Sequence, residues 1–296
     1  MKKGTLQEFE DYLIRNNYTV QTTKGYVFDM GHYLTNMPHA EKVNRIGFLS
    51  YIEQLQATKQ SKGNINRKLH SIKKYYDFLI DTGRIKRHPC KSFHLKGVSK
   101  RDIQHQNLLE PADLEILLQK VYEREERFPK QKNRNRIIMT LLIQQGLTLG
   151  ELTLIKTGDV DIDNALIRVR GNAKVASRTL QLNPKQIKLF MEYMDEKDPS
   201  ERTQHSFFLQ NMRNKSETVS GLGYLIETYR PLFPGKKLNA QLIRMSVISK
   251  WLNQDQGTLD ELRMLSGIKW LSSVVKYRRP DDMKQKELIN RFFPIK

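Results

Sequence analysis

The sequence predicts a mainly α-helical protein of two domains, the second carrying one small β-sheet. Three observations predict it. Apolar residues recur every three or four positions through most of the chain, the spacing that gathers them on one face of a helix. A period-two alternation stands out over 165–170 and 177–182, as in half-buried strands. Between the leading helices and the sheet, Lys91 to Gln106 is polar, basic and without periodicity, as a linker is. The expected bounds are a helical domain over 1–98, a basic linker over 99–107, and a second domain over 108–296 that ends in a tail helix at 281–296.

The first domain reads as four short helices. Thr5 and Glu8 have the spacing of a capping box, which predicts a helix start there, with Leu6, Phe9 and Leu13 on its inner face. Tyr26, Val27, Met30, Tyr33 and Leu34 mark the second helix, and Ile46, Leu49, Ile52 and Leu55 the third. Ser61 is placed to cap the fourth, whose stripe is Ile65, Leu69, Ile72, Tyr76 and Leu79, with Gly83 just beyond its end. His88-Pro89 then stops the helical pattern. In the second domain Pro111 suits a first helical turn, ahead of Leu114, Leu117, Leu118 and Val121. The apolar run Ile137 to Ile143 closes at Gly146. The two strands follow, joined through Gly171-Asn172-Ala173-Lys174, and from Asn183-Pro184 the pattern is helical to the end. Asn239 and the pair Thr258 and Glu261 are helix starts. His205, ahead of an apolar run, is expected to be a structural histidine.

Composition narrows the partners. The chain has 296 residues, with 51 Lys and Arg against 32 Asp and Glu, a net charge of +19. Such an excess favours a polyanion, because every phosphate neutralised releases condensed counterions. Residues 61–101 hold twelve cations: Lys62, Arg67, Lys68, Lys73, Lys74, Arg84, Lys86, Arg87, Lys91, Lys96, Lys100 and Arg101. Only Asp77 and Asp81 oppose them, a net of +10. A solvated helix face usually mixes both signs, so this one-signed segment reads as a surface that follows phosphates. No stretch is apolar enough for a membrane span, and no amphipathic helix has the basic and aromatic faces of a membrane binder. The N-terminus has no apolar run of a signal peptide, and the single Cys90 precludes an intrachain disulfide. These features point to the cytoplasm, with no metal and no cofactor expected.

Three segments carry a resemblance. QGLTLGEL (145–152), LNAQLIRMSVISKWL (238–252) and LDELRMLSGIKWLSSVVKYRR (259–279) stand in the order and spacing of the three boxes of the tyrosine recombinases, or phage integrases. The first resembles that family's TGLR-x-SEL, with Gly146, Leu147, Glu151 and Leu152 in agreement and Thr148 in the place of an arginine. The second is similar to the box with H-x-x-R-H: Arg244 matches, while Gln241 and Met245 replace the histidines. In the third, Gly267 is retained, Ile268 replaces the adjacent histidine, and Tyr277 falls at the nucleophile. In the hairpin the family's lysine position aligns with Asn172, and Lys174 lies two residues on. The resemblance implies a helical SAM-like core-binding domain followed by a catalytic-type domain, clamping double-stranded DNA.

It also implies a chemistry. The tyrosine attacks a DNA phosphodiester, forms a 3′-phosphotyrosyl bond and releases a 5′-hydroxyl, so the linkage is conserved without a high-energy cofactor. A phenol with pKa about 10 is a weak nucleophile at neutral pH. Two arginines normally grip the phosphate oxygens, and lysine and histidine manage protons. Tyr277, Arg244 and Lys174 are the candidates here; Thr148, Asn172, Gln241 and Ile268 are substituted positions. Two readings follow. One is a recombinase of a mobile element with weakened cleavage; the other is a non-catalytic DNA-binding accessory to an intact recombinase. The tail over 281–296, with Met283, Leu288, Ile289, Phe292 and Phe293, is expected to dock on a neighbouring subunit, which would be either another copy or that recombinase.

Overall fold

The computed structural model describes residues 3–95, 103, 105–172, 175–254 and 257–278. They fall into two compact units, divided between Arg101 and Asp102. Lys96, Lys100, Arg101, Lys174 and the 281–296 tail lie outside the described residues.

The first unit is four helices: α1 (Lys3–Arg15), α2 (Val20–Asn36), α3 (Arg45–Ala57) and α4 (Lys62–Asp81). Side-chain caps fix three of the starts. Thr19, Asn44 and Ser61 each accept from the amide three residues on. The stripe expected on α4 is buried as a whole, against Phe9, Leu13, Met30, Tyr33, Phe48, Tyr51 and Ile52. Several polar groups inside this core are paired, while Thr23 Oγ1 and Asp29 Oδ1 make no hydrogen bond among the described residues. The Tyr33 and Tyr76 hydroxyls lie 2.7 Å apart, and Tyr76 donates onward to the Ala40 carbonyl at 3.1 Å. The buried carboxylate of Asp29 on α2 accepts from Arg67 and, at 2.8 Å, from Ser71, which ties α2 to α4.

Two expectations fail here. α1 begins at Lys3 and runs through Thr5, so Thr5 caps nothing; Glu8 instead pairs with Arg84 from beyond α4. On α3, Ile46 is 76% exposed. The Asn44 cap sets the helix so that Phe48, Tyr51, Ile52 and Leu55 face inward. Their rings bury more apolar area than Ile46 would, and that larger gain fixes the rotation.

The second unit is built around α6 (Lys132–Gln145), whose Ile137 to Ile143 are all buried. Against it pack α5 (Pro111–Glu123), α8 (Pro184–Asp195), α9 (Val219–Glu227) and α10 (Ala240–Asn253). The one-turn α7 (Leu149–Leu152) leads to a three-stranded antiparallel sheet of β1 (Val160–Asp161), β2 (Leu166–Val169) and β3 (Arg178–Gln181), in that order. The β1 strand is two residues long, too short to show a period. In the register, Val169 faces Arg178 and Ile167 faces Leu180. Gly171 lets the hairpin close: a Cβ there would meet the Ser177 nitrogen at 2.4 Å. α11 (Leu259–Ser266) and α12 (Leu271–Val274) complete the described unit.

The helical pattern expected from Asn183 onward is interrupted. Arg202 to Glu217 forms turns and isolated bridges, with Phe208 and Leu209 buried. This segment is held by buried Arg134 of α6, which donates to Glu217 and to the Gln210 carbonyl at 3.2 Å. His205 is exposed within it, not a buried structural residue. Among the described residues no helix is long and apolar enough to cross a membrane, and no cluster of three His, Cys, Asp or Glu is arranged to hold a metal.

Candidate DNA-cleavage site

The site is assembled by three chain reversals. Gly146 ends α6 in the left-handed region at φ 60°, which turns Leu147 into the core and leaves Thr148 as the cap of α7. There the capping box is real. The Glu151 amide donates to the Thr148 hydroxyl at 3.3 Å. Oε2 of Glu151 in turn accepts from the Thr148 amide at 2.7 Å and hydroxyl at 2.9 Å. Oε1 accepts from Arg178 of β3. The Glu151 side chain is wholly buried. Burial opposes its ionisation, but Arg178 and the Thr148 amide together hold the carboxyl below the usual glutamate range.

The second reversal is Gly267, at φ 68° after α11. A Cβ there would lie 2.6 Å from Nη1 of Arg178 and 2.7 Å from Val175. The hairpin therefore reaches this turn: the Ala176 amide donates to the Gly267 carbonyl at 2.8 Å, and Val175 bridges to Ile268. The third is the tight hairpin loop, where the Asn172 amide donates to the Val175 carbonyl at 2.8 Å and the Asn172 Oδ1 accepts from the Val175 amide at 3.0 Å.

Arg244 comes from α10, which Asn239 caps. Among the described residues it pairs with no acid. Its Nη1 donates to the Gly146 carbonyl and its Nη2 to the Ser266 carbonyl at 2.6 Å, so it joins two of the reversals. Desolvation draws its pKa down, Glu151 and Tyr277 act upward, and Arg178 adds to the lowering. A guanidinium stays charged regardless. Tyr277 closes the short turn after α12 and packs on Ile248, Leu252, Leu262 and Val274, while its carbonyl accepts from Ser249 at 3.0 Å. Burial raises the phenol pKa and Arg244 partly offsets it, so at neutral pH Tyr277 carries its proton.

The structure thus gathers Thr148, Glu151, Arg178, Arg244, Ile268 and Tyr277 into one connected region. Gln241 is exposed on the first turn of α10, and Ile268 packs on the small apolar cluster under Tyr277. Neither position offers a proton donor or acceptor of imidazole type. Arg178 was missed by sequence reasoning, although a signal existed. It lies two residues from buried Leu180 on one strand, so an arginine shares the inward face.

Residues 107–284 match the model of the phage integrase family, and 6–83 match that of the phage integrase N-terminal SAM-like domain. The chain belongs to the phage integrase family. Among curated relatives, this integrase is 24% identical to tyrosine recombinase XerC of Listeria monocytogenes, over 86% of the chain and 87% of the relative. It is 22% identical to the XerC of Pediococcus pentosaceus, over 97% and 96%. Among solved structures, it superposes on the Tn1549 transposon integrase in complex with transposon right-end DNA with a TM-score of 0.66. Identity there is 15%, and the match covers 97% of this chain and 99% of that one. XerH bound to palindromic difH gives 0.68 at 16% identity, over 90% and 78%.

The cations of the SAM-like unit divide by use. Arg67 is held by Asp29, Lys74 pairs with Asp77 at 2.9 Å and lies over the Tyr18 ring, and Arg84 pairs with Glu8 and stacks on Phe78. Lys62, Lys68, Lys73, Lys86 and Arg87 form no ion pair among the described residues, and Lys62, Lys86 and Arg87 are exposed.

Proposed function

We propose that this integrase-family chain binds duplex DNA and acts in site-specific recombination of a mobile element, with Tyr277 as the nucleophile of a weakened strand cleavage. The observation that carries this reading is the placement of Tyr277 beside Arg244. A phenol and a charged guanidinium, fixed on separate elements, are what attack on a phosphodiester requires. Arg244 receives the charge that grows on the non-bridging oxygens, and the Tyr277 oxygen bonds to phosphorus, its proton passing to solvent water, as the bond from phosphorus to the 5′-oxygen breaks. Lys174 is the candidate acid for that departing oxygen. The solved DNA complexes of the Tn1549 integrase and XerH support duplex DNA as the partner, and the net charge of +19 agrees with it. Work on DNA would place the protein in the cytoplasm, at the nucleoid.

The weakening follows from Thr148, Gln241 and Ile268, which hold no guanidinium or imidazole. Each lost donor to developing charge costs roughly 10²–10³ in rate, without simple additivity. The same three residues favour a second reading, a non-catalytic DNA binder that partners an intact recombinase through the 281–296 tail. A nicked suicide duplex separates the two. A covalent adduct that Tyr277→Phe removes supports cleavage; no adduct, with DNA binding intact in both proteins, supports the accessory role.

A further inference from the structure

We infer that Arg178 is the second phosphate-gripping guanidinium of this site, holding the oxygen that an arginine at position 148 would hold. The inference rests on the proposed phosphodiester site at Tyr277 and Arg244. Thr148 cannot reach an anion as a cation would, and its hydroxyl and amide are already committed to Oε2 of Glu151. The other oxygen of that carboxylate receives Arg178, from 27 residues further along the chain. A guanidinium therefore arrives three residues from Thr148, carried by the hairpin instead of the first box.

Its fork is only partly used. Nη1 is on Glu151 and Nε donates to the Leu265 carbonyl at 2.8 Å, so the plane of the group is fixed. The side chain is 5% exposed, yet Nη2 is buried and makes no hydrogen bond among the described residues. A buried donor left unpaired is costly, and an incoming phosphate oxygen would satisfy it. Charge points the same way. Glu151 pairs with Arg178 alone, while Arg244 is anchored on the Gly146 and Ser266 carbonyls, so two guanidiniums stand against one carboxylate and the cluster holds an uncompensated cation near Tyr277. A cleft of about 490 Å³ between β3 and α11 is lined by Arg178, Arg263, Ser177, Thr179 and Ile268 together with the carboxylate of Glu261, so two cations face one acid along the path to the group.

The test uses the full chain labelled with ¹⁵N-arginine and titrated with inorganic phosphate, following the Nε–H resonances of Arg178 and Arg244. Arg178→Lys and Arg244→Lys assign them. Both resonances should move along one binding curve. In Arg178→Lys, measured well below its own Tm, the Arg244 curve should shift to about tenfold higher phosphate, since one charge-assisted bond is lost. An Arg244 curve that moves alone, or that Arg178→Lys leaves in place, would make Arg178 a structural tether and overturn the inference; so would silence at both arginines. Should Arg178→Lys fail to fold, the parent protein's own Arg178 signal still decides. Duplex binding on the same samples tests the underlying reading apart. Retained DNA binding without a phosphate response sinks Arg178 alone, whereas loss of both sinks the DNA site itself.

Discussion

Lys197 lies under the irregular segment of the second unit, with Nζ donating to the Phe208 carbonyl at 2.6 Å and the Phe207 carbonyl at 3.2 Å, against the rings of Tyr193 and Phe208. Burial pulls its pKa from 10.5 down to about 8. The unfolded chain therefore binds the extra proton between pH 8 and 10.5, and this group makes stability rise with pH across that window. Below pH 8 the full penalty is in force. At about 1.4 kcal/mol per unit the rise is at most about 3.5 kcal/mol. Urea midpoints should climb from pH 8 to 10 in the parent protein and stay flatter in Lys197→Met; equal slopes would dismiss the argument. Above pH 10 buried Tyr75, raised to about 12, acts in the opposite direction. Cys90 is a second residue set chiefly by burial. It is 2% exposed and its thiol is pushed up to about 12. It should stay unmodified by a disulfide reagent at pH 8 for hours and react at once in denaturant.

At the scale of elements, what was legible was local. Caps at Ser61, Asn239 and Thr258, the stripe of α4 and the stop at Gly146 depend on residues within a turn of one another, and the structure keeps them. What was illegible was contact at a distance. Glu151 meets Arg178 across 27 residues, Arg178 meets Leu265 across 87, and Arg134 meets Glu217 across 83. Local period carries no trace of such pairs. Tyr277 and Arg244 were legible as candidates through box spacing; the carbonyls that hold Arg244 were not, because a main-chain oxygen has no sequence signature. The distant contacts bear most weight. Glu217→Ala leaves a buried guanidinium without its acid, which costs about 3–5 kcal/mol. Chemical denaturation of the second unit should show that loss, and a change under 1 kcal/mol would mean water reaches Arg134. Gly267→Ala combines a left-handed backbone with a Cβ 2.6 Å from Arg178. It should cost about 2 kcal/mol or more in the same assay.

For the whole molecule, the 51 Lys and Arg overstate the surface available to a polyanion, since Arg67, Lys74 and Arg84 already serve the first unit's own acids. The effective set is Lys62, Lys68, Lys73, Lys86 and Arg87. Reversing Lys68, Lys73 and Lys86 to glutamate should weaken duplex binding alike for all sequences. It should also flatten the dependence of log affinity on log salt by roughly one for each contact removed. Reversing Arg67 should instead lower Tm, because Asp29 is left buried without its cation. An unchanged salt slope in the triple variant would move the DNA surface elsewhere. Arg244, finally, is anchored by the carbonyls of Gly146 and Ser266. Every amino acid supplies the same carbonyl, so mutation at the neighbouring positions leaves that mooring intact. Side chains at 148 and 268 can therefore be exchanged without unmooring Arg244, because neither carbonyl belongs to those positions.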